Sequence, residues 1–380
     1  VTDFVPEQFR GRVTQLQAGM AAAGVDALWL TSAPDVFYVT GFLTRFWESP
    51  ARPWFVVVPA AGDPVAVIPS IGAELMGQTW ISDIRCWTAP DLQDDGVSLL
   101  ASVLLEVAGS RGRIGVPMGH ETHLRMPLAD YARVKAMTPE QVHADVTDLV
   151  RRVREVKSAA EIERIRAICG VGTRAFDRVP QIARAGVGLD QVFRDFQIAL
   201  LEEGADWVPY LAGGAGPGGY GDVISPASSR PLEVGDVLML DTGAVKAGYF
   251  CDFDRNFAIG QADDAARRAY ATLYSATEAG LAAARPGATA ADLFQAMHGV
   301  IGQDGDAGRL GHGLGLSLTE WPSIIPTDHT PMRAGMVMTL EPGLQIAPGR
   351  IMVHEENIVI REGGAELLSR RAPPELPVLE

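Results

Sequence analysis

The chain has 380 residues with 47 acidic against 32 basic side chains, a net charge of −15. That balance argues against nucleic acid or an anionic membrane as a partner, since either needs a clustered positive surface. At 47% hydrophobic and 21% charged, the composition is that of a soluble globular protein with room for two or three domains. Only three of the basic residues are lysines (Lys135, Lys157 and Lys246), so lysine-based catalysis has few candidates.

Residues 6–23 read as an amphipathic helix ending near Gly24, and 26–31 (DALWLT) as a buried strand. Two more strands, 52–60 and 64–70, are joined by a Gly-Asp turn at 62–63. A helix at 98–108, a short strand at 113–117 and a helix at 123–137 follow. Strands alternating with helices predict an α/β N-terminal domain, placed at 1–153. Its loop at 41–55, GFLTRFWESPARPWF, is aromatic and arginine-rich. Trp47, with Arg45 or Arg52, is a candidate to face a ligand or a partner subunit, against the plainer reading of a packed loop.

The three cysteines, Cys86, Cys169 and Cys251, are far apart and in no metal-ligand spacing, and read as reduced thiols of a cytoplasmic protein. The opening VTDFVPEQFRGR has no apolar stretch behind basic residues, so no signal peptide is expected. No run approaches the roughly 20 apolar residues of a membrane span.

A second domain, 154–380, opens with a charged helix near Val156, with Ser158 as N-cap and Glu161 three residues later. From there the chain reads as built twice. GVGLDQVF (186–193) aligns with GATAADLF (287–294), and RPLEVGDVLMLDTG (230–243) with TPMRAGMVMTLEPG (330–343). Gly235, Asp241 and Gly243 then fall on Gly335, Glu341 and Gly343. The first return strand carries Asp252, and the second, IMVHEENIVI (351–360), carries Glu355. Two copies of helix–helix–hairpin predict an α+β domain with an internal pseudo-twofold repeat, its four β-segments forming one curved sheet on which the four acids converge.

Buried carboxylates without cations are costly or become neutral. Arg255 and Arg350 are available, but a pair of divalent ions about 3.5–4 Å apart, bridged by carboxylates, serves better. His312, in RLGHGLGLSLTEWPS (309–323), lies between the hairpins among glycines that allow close backbone approach. Asp241, Asp252, His312, Glu341 and Glu355 thus form an oxygen-dominated set with one imidazole, suited to Mn²⁺, Fe²⁺, Co²⁺ or Zn²⁺. Asp254, on the same strand face as Asp252, is a candidate to orient a ligand, whereas His354 is expected to point away from Glu355. GGAGPGG (213–219) contains a G-x-G-x-x-G pattern, but Pro217 and the following YGDVISP predict a loop at the substrate pocket rather than a nucleotide site.

The Asp-x-Gly…Gly-Tyr…Asp spacing of 241–252, the Gly-His-Gly-Leu-Gly of 311–315, the Glu-Pro-Gly of 341–343 and the Glu-Glu-Asn of 355–357 carry a resemblance. Over roughly 157–370 the chain resembles the pita-bread family of methionine aminopeptidases, aminopeptidase P, prolidase and creatinase. The N-terminal 150 residues look like the extra domain of the prolidase, aminopeptidase P and creatinase branch, which commonly borders the active site of a partner subunit. The resemblance implies a pita-bread catalytic domain, a homodimer, and two divalent ions, Mn²⁺ ahead of Co²⁺, Zn²⁺ or Fe²⁺. It carries the five metal ligands onto Asp241, Asp252, His312, Glu341 and Glu355, with Glu341 and His312 as catalytic residues and Glu341 as proton shuttle. The implied reaction is hydrolysis of a C–N amide bond, as in an Xaa-Pro dipeptidase or aminopeptidase acting on a short peptide.

Two positions depart from that pattern. Peptidases of the group carry a histidine seven residues beyond the metal histidine, where this chain has Thr319. They carry another in the segment corresponding to 220–228 (YGDVISPAS), which has none. Tyr220, Asp222, Thr319 and Glu320 then become candidates for a different substrate pocket, with Trp321 as packing. The alternative is a creatinase-like member that hydrolyses or lyses a small metabolite. A non-catalytic binding module would have little physical reason to hold four acids and a histidine together.

Overall fold

The computed structural model describes residues 5–302 and 308–380; residues 1–4, the start of the stretch read for a targeting signal, lie outside it. The chain divides into two compact units, Val1–Arg154 and Glu155–Glu380.

In the first unit the helix Pro6–Ala23 stops at Gly24, whose φ of 61° supplies the left-handed cap. The strands are β1 (Ala27–Leu30), β2 (Phe55–Pro59), β3 (Val65–Pro69), β4 (Asp83–Trp87), β5 (Arg113–Val116) and β6 (Val142–Asp145). They form one mixed sheet in the order β4-β3-β2-β1-β5-β6. Trp29, Phe55 and Val67 of this sheet pack with Leu100 and Leu104 of the helix Val97–Ala108 and Val134 of the helix Leu128–Met137. That last helix begins five residues later than the pattern predicts. Pro127 is its N-cap, and a proline both removes an N–H and disfavours helical geometry in the residue before it.

The second unit opens with the helix Ala159–Phe176, started by the expected capping box of Ser158 and Glu161. Its strands are β7 (Trp207–Pro217), β8 (Asp236–Lys246), β9 (Tyr249–Phe250), β10 (Phe253–Ile259), β11 (His312–Gly313), β12 (Glu320–Ser323), β13 (Val337–Leu340), β14 (Gly343–Ala347), β15 (Arg350–Val353), β16 (Glu356–Arg361), β17 (Gly364–Leu367) and β18 (Val378–Leu379). One sheet runs β18-β10-β8-β7 with β9 on β8, a second runs β12-β11-β13-β16-β17, and β14 pairs with β15.

The repeat is visible bond by bond. Gly186 and Gly287, at φ of 87° and 88°, donate to the carbonyls of Leu232 and Met332. Gly235 and Gly335, at φ of 96° and 94°, donate to Ile259 and Ile360. β8 pairs with β10 so that Val237 faces Ala258, and β13 pairs with β16 so that Val337 faces Val359. The return strands are therefore related by 101 residues. In that register Glu355 corresponds to Asp254, and Asp252 corresponds to Val353.

Three expectations are corrected. The four segments form two ladders rather than one curved sheet. The return strand expected at 351–360 is broken at His354 and Glu355, so that β15 joins β14 while β16 joins β13. GGAGPGG is strand as far as Pro217, paired with β8 along its length, rather than a loop. Its glycines reflect tight contact: a Cβ on Gly213 would lie 2.1 Å from the Met239 carbonyl oxygen.

Candidate metal centre

Four of the five side chains of the predicted ligand set sit at a strand end or break, and Asp241 lies in the middle of β8. Asp241 lies on β8 directly opposite Asp254 of β10, and Asp252 immediately precedes β10. His312 is on β11, Glu341 follows β13, and Glu355 sits in the break between β15 and β16. Ligand atoms of Asp252, His312 and Glu355 all lie within 4.8 Å of one another, the one group of this kind among the described residues. His312 Nε2 is 3.3 Å from Asp252 Oδ2 and 3.9 Å from Glu341 Oε2. Asp241 lies close enough to Asp252, Glu355 and the Tyr210 hydroxyl to act on each electrostatically, while that hydroxyl donates to the Val223 carbonyl oxygen at 3.5 Å. The structure thus gathers all five residues from both halves of the repeat.

Its local bonds prepare the imidazole for ligation. His312 Nδ1 lies 2.8 Å from the Gly313 carbonyl oxygen. A carbonyl can only accept, so Nδ1 carries the proton and Nε2 presents its lone pair toward Asp252 and Glu341.

Burial pushes the carboxyls of Asp241, Asp252 and Glu355 well above their ordinary range. The Asp252 charge adds to the effect on Asp241 and Glu355, and Arg309 opposes it at Asp252. Burial raises Glu341 to about 7, with His312 opposing and Asp252 and Asp241 adding. Asp241 Oδ1 and Glu355 Oε1 are buried with no hydrogen-bond partner. Neither arginine considered from the sequence neutralises this set. Arg255 pairs with Glu356 at 3.0 Å, and Arg350 lies 4.0 Å from Asp263. Orphaned carboxylate oxygens, four acids and one imidazole are the donor set of a divalent cation of the Mn²⁺ to Zn²⁺ group, so the residues fit the implied metals. Glu341 is the most open of them, its side chain 31% exposed.

The other candidates are placed differently. Tyr220 is 2% exposed, and its hydroxyl accepts from Val353 N–H at 2.7 Å while donating to Asn256 Oδ1 at 3.1 Å. That leaves it a core residue instead of a pocket wall. Glu320 pairs with buried Lys157 at 3.0 Å and accepts the N–H groups of Leu316 and Ser317, so it shapes its loop from inside. Asp222 folds back on its own turn, accepting from Ile224 and Ser225, and its bond to the Ser225 hydroxyl holds its carboxyl below the usual range. Trp47 is half-buried within the first unit, 5.0 Å from the Arg125 guanidinium and packed on Trp54, which matches the plainer reading of a packed loop. Thr319 is exposed, and Trp321 donates to Thr330.

Three neighbours of the centre escaped the sequence reading. Tyr210 reaches Asp241 from β7, and its only signal was an aromatic residue in a glycine-rich strand. Asn256 and Asn357 tie the two halves together, and their 101-residue spacing was legible. Asp254, proposed to orient a ligand, accepts the Glu355 N–H at 2.7 Å. His354 is buried, bonded through Nδ1 to Thr277 at 3.0 Å.

Comparison with known proteins agrees with this geometry. The model of metallopeptidase family M24 matches residues 163–362, and that of the creatinase/prolidase N-terminal domain matches residues 12–156. The chain belongs to metallopeptidase family M24 and is a metal-dependent hydrolase. Among its relatives is the protein named Probable dipeptidase PepE of Mycobacterium tuberculosis, 30% identical over 99% of this chain and 98% of that one. The Xaa-Pro dipeptidase of Pyrococcus furiosus is 29% identical over 67% of this chain and 73% of its own. The crystal structure of dipeptidase PepE from Mycobacterium ulcerans superposes with a TM-score of 0.84 at 29% identity, covering 99% of each chain.

Proposed function

We propose that this chain hydrolyses Xaa-Pro dipeptides using two divalent ions held by Asp241, Asp252, His312, Glu341 and Glu355. The observation that carries the reading is the convergence of Asp252, His312 and Glu355, with Glu341 3.9 Å from His312 and two buried carboxylate oxygens, on Asp241 and Glu355, lacking any partner. Ions bound there supply Lewis acidity and a nucleophile at neutral pH. Glu341, the most open of the five, would accept a proton and return it to the leaving nitrogen. His312 acts as ligand, its tautomer held by Gly313. Leu318 and Tyr210 close over Gly243, two residues from Asp241, where a Cβ would lie 2.4 Å from Leu318 Cδ1.

The names of the relatives favour peptide hydrolysis over the non-peptide reaction considered from the sequence. Manganese is assigned as the native ion because the set holds four carboxylates to one imidazole. The reading extends to a homodimer and a cytoplasmic location; no helix among the described residues is long and apolar enough to cross a membrane. The test is a panel of Xaa-Pro dipeptides, non-proline dipeptides and Xaa-Pro-Xaa tripeptides offered to Mn²⁺-loaded protein. Preferred cleavage of the Xaa-Pro dipeptides supports the proposal. A metal-loaded protein that cleaves none of them refutes it.

A further inference from the structure

β10 and β16 are neighbours at the junction of the two halves, yet among the described residues no backbone ladder joins them. Side-chain amides take the ladder's place. Asn357 brackets the backbone of Asp252: its Oδ1 accepts from the Asp252 N–H at 2.9 Å and its Nδ2 donates to the Asp252 carbonyl. Asn256, its equivalent 101 residues earlier, brackets Val353, the equivalent of Asp252. Here Nδ2 donates to the Val353 carbonyl at 2.7 Å, while the Val353 N–H reaches Oδ1 through the Tyr220 hydroxyl, at 2.7 and 3.1 Å. One bracket is direct and grips a predicted ligand; the other is lengthened by a hydroxyl and grips a residue two positions before one.

A third link runs between the halves. Asp254 Oδ1 accepts the Glu355 N–H, and Asn256 Nδ2 holds the other Asp254 oxygen at 3.2 Å. The side chains of Asn357, Asn256, Tyr220 and Asp254 are all buried, where losing one partner leaves the other unsatisfied and the full desolvation cost is felt. Asp252 and Glu355 come from different halves, and their spacing is not set by a shared backbone ladder. The brackets set it instead.

We propose that Asn357, and the Asn256–Tyr220 pair opposite it, are positioning residues that fix Asp252 and Glu355 at the spacing divalent ions require. They act through the backbone and not as ligands. The inference rests on the metallopeptidase reading and adds to it the residues on which metal affinity depends. Supporting partners of metal ligands change affinity by about ten- to a hundredfold when removed. The direct bracket holds a ligand itself, so its loss has the larger effect.

The experiment titrates Mn²⁺ into chelator-stripped full-length protein, in competition with a fluorescent chelating indicator. The proteins are wild type, Asn357→Ala, Tyr220→Phe, and Val192→Ala as a control for lost packing, with the melting temperature of each stripped protein measured alongside. The expected result is a Kd for Mn²⁺ raised about ten- to a hundredfold in Asn357→Ala, a smaller rise in Tyr220→Phe, and an unchanged Kd in Val192→Ala despite its lower melting temperature. If Asn357→Ala does not fold, Tyr220→Phe decides, since it loses only a hydroxyl: a raised Kd supports the proposal and a wild-type Kd overturns it. Wild-type Kd in both bracket variants overturns the proposal while leaving the metal site intact. A wild type that binds no Mn²⁺ removes the metallopeptidase reading, and this inference with it.

Discussion

Arg255 and Glu356 stand at equivalent positions in the two halves of the C-terminal unit and pair with each other at 3.0 Å, with side-chain exposures of 10% and 0%. The flanking equivalents meet as well, Asp254 with Glu355 on one side and the two asparagine brackets on the other. The junction of the repeat is thus held by side chains that cross from one half to the other. Two of the proposed ligands, Asp252 and Glu355, flank it in the sequence.

Glu356 also accepts from Arg371 at 3.3 Å, from the Ala372 N–H at 2.8 Å and from the Ser369 hydroxyl. Removing one partner of a buried pair leaves charge uncompensated, so Glu356→Ala should cost about 3–5 kcal/mol. Denaturant unfolding of the metal-stripped protein measures this. A cost below about 1 kcal/mol, the range of an exposed pair, would show that the junction does not depend on it.

Metal-free protein should reveal Glu341 through pH. Its carboxyl is raised from the ordinary 4.5 to about 7, so the fold favours the neutral form. The stability this contributes is complete below about pH 4.5 and is lost as pH rises through 7. Glu341→Gln is neutral throughout and escapes that loss. The difference in melting temperature, variant minus wild type, should therefore grow in the variant's favour between about pH 4.5 and 7. The buried His143 and His354 are common to both proteins and cancel. Saturating Mn²⁺ should abolish the trend, because a bound cation favours the carboxylate. A difference that stays flat across this window contradicts the assignment.

Lys157 and Glu320 form a buried pair, with side-chain exposures of 2% and 8%. Glu320 Oε1 also takes the N–H groups of Leu316 and Ser317, at 2.9 and 3.1 Å, and so fixes the turn between His312 and Thr319. Glu320→Gln should cost about 3 kcal/mol by leaving the Lys157 charge unbalanced. It should also raise KM for an Xaa-Pro dipeptide more than it lowers kcat, with metal content unchanged. Loss of metal together with activity would place this pair in the metal site rather than in the substrate loop.

The acids and the histidine were legible because metal chemistry demands particular residue types, and Asp252, His312 and Glu355 do meet in the structure, with Glu341 3.9 Å from His312. Helix starts were legible for the same kind of reason, as at Ser158 and Glu161. Gly213 was misread because glycine more often marks a loop, whereas here it clears the Met239 carbonyl within a strand. Tyr220 and Glu320 were misread because a sequence gives a residue's chemistry but not its partners, and both spend that chemistry inside the protein. Asn256 and Asn357 were visible at equal positions of the repeat. An amide carries no catalytic signature, and only the broken ladder between β10 and β16 gives the pair a purpose.

The most direct test is metal content per chain, by elemental analysis, of wild type and Asp252→Asn after loading with Mn²⁺ and removal of free ion. The account predicts about two ions per wild-type chain, as for a dinuclear centre, and a clear loss in the variant. A wild type that stays empty after loading with Mn²⁺, Co²⁺ and Zn²⁺ in turn, or an Asp252→Asn variant that holds as much metal as wild type, would contradict the five-residue site.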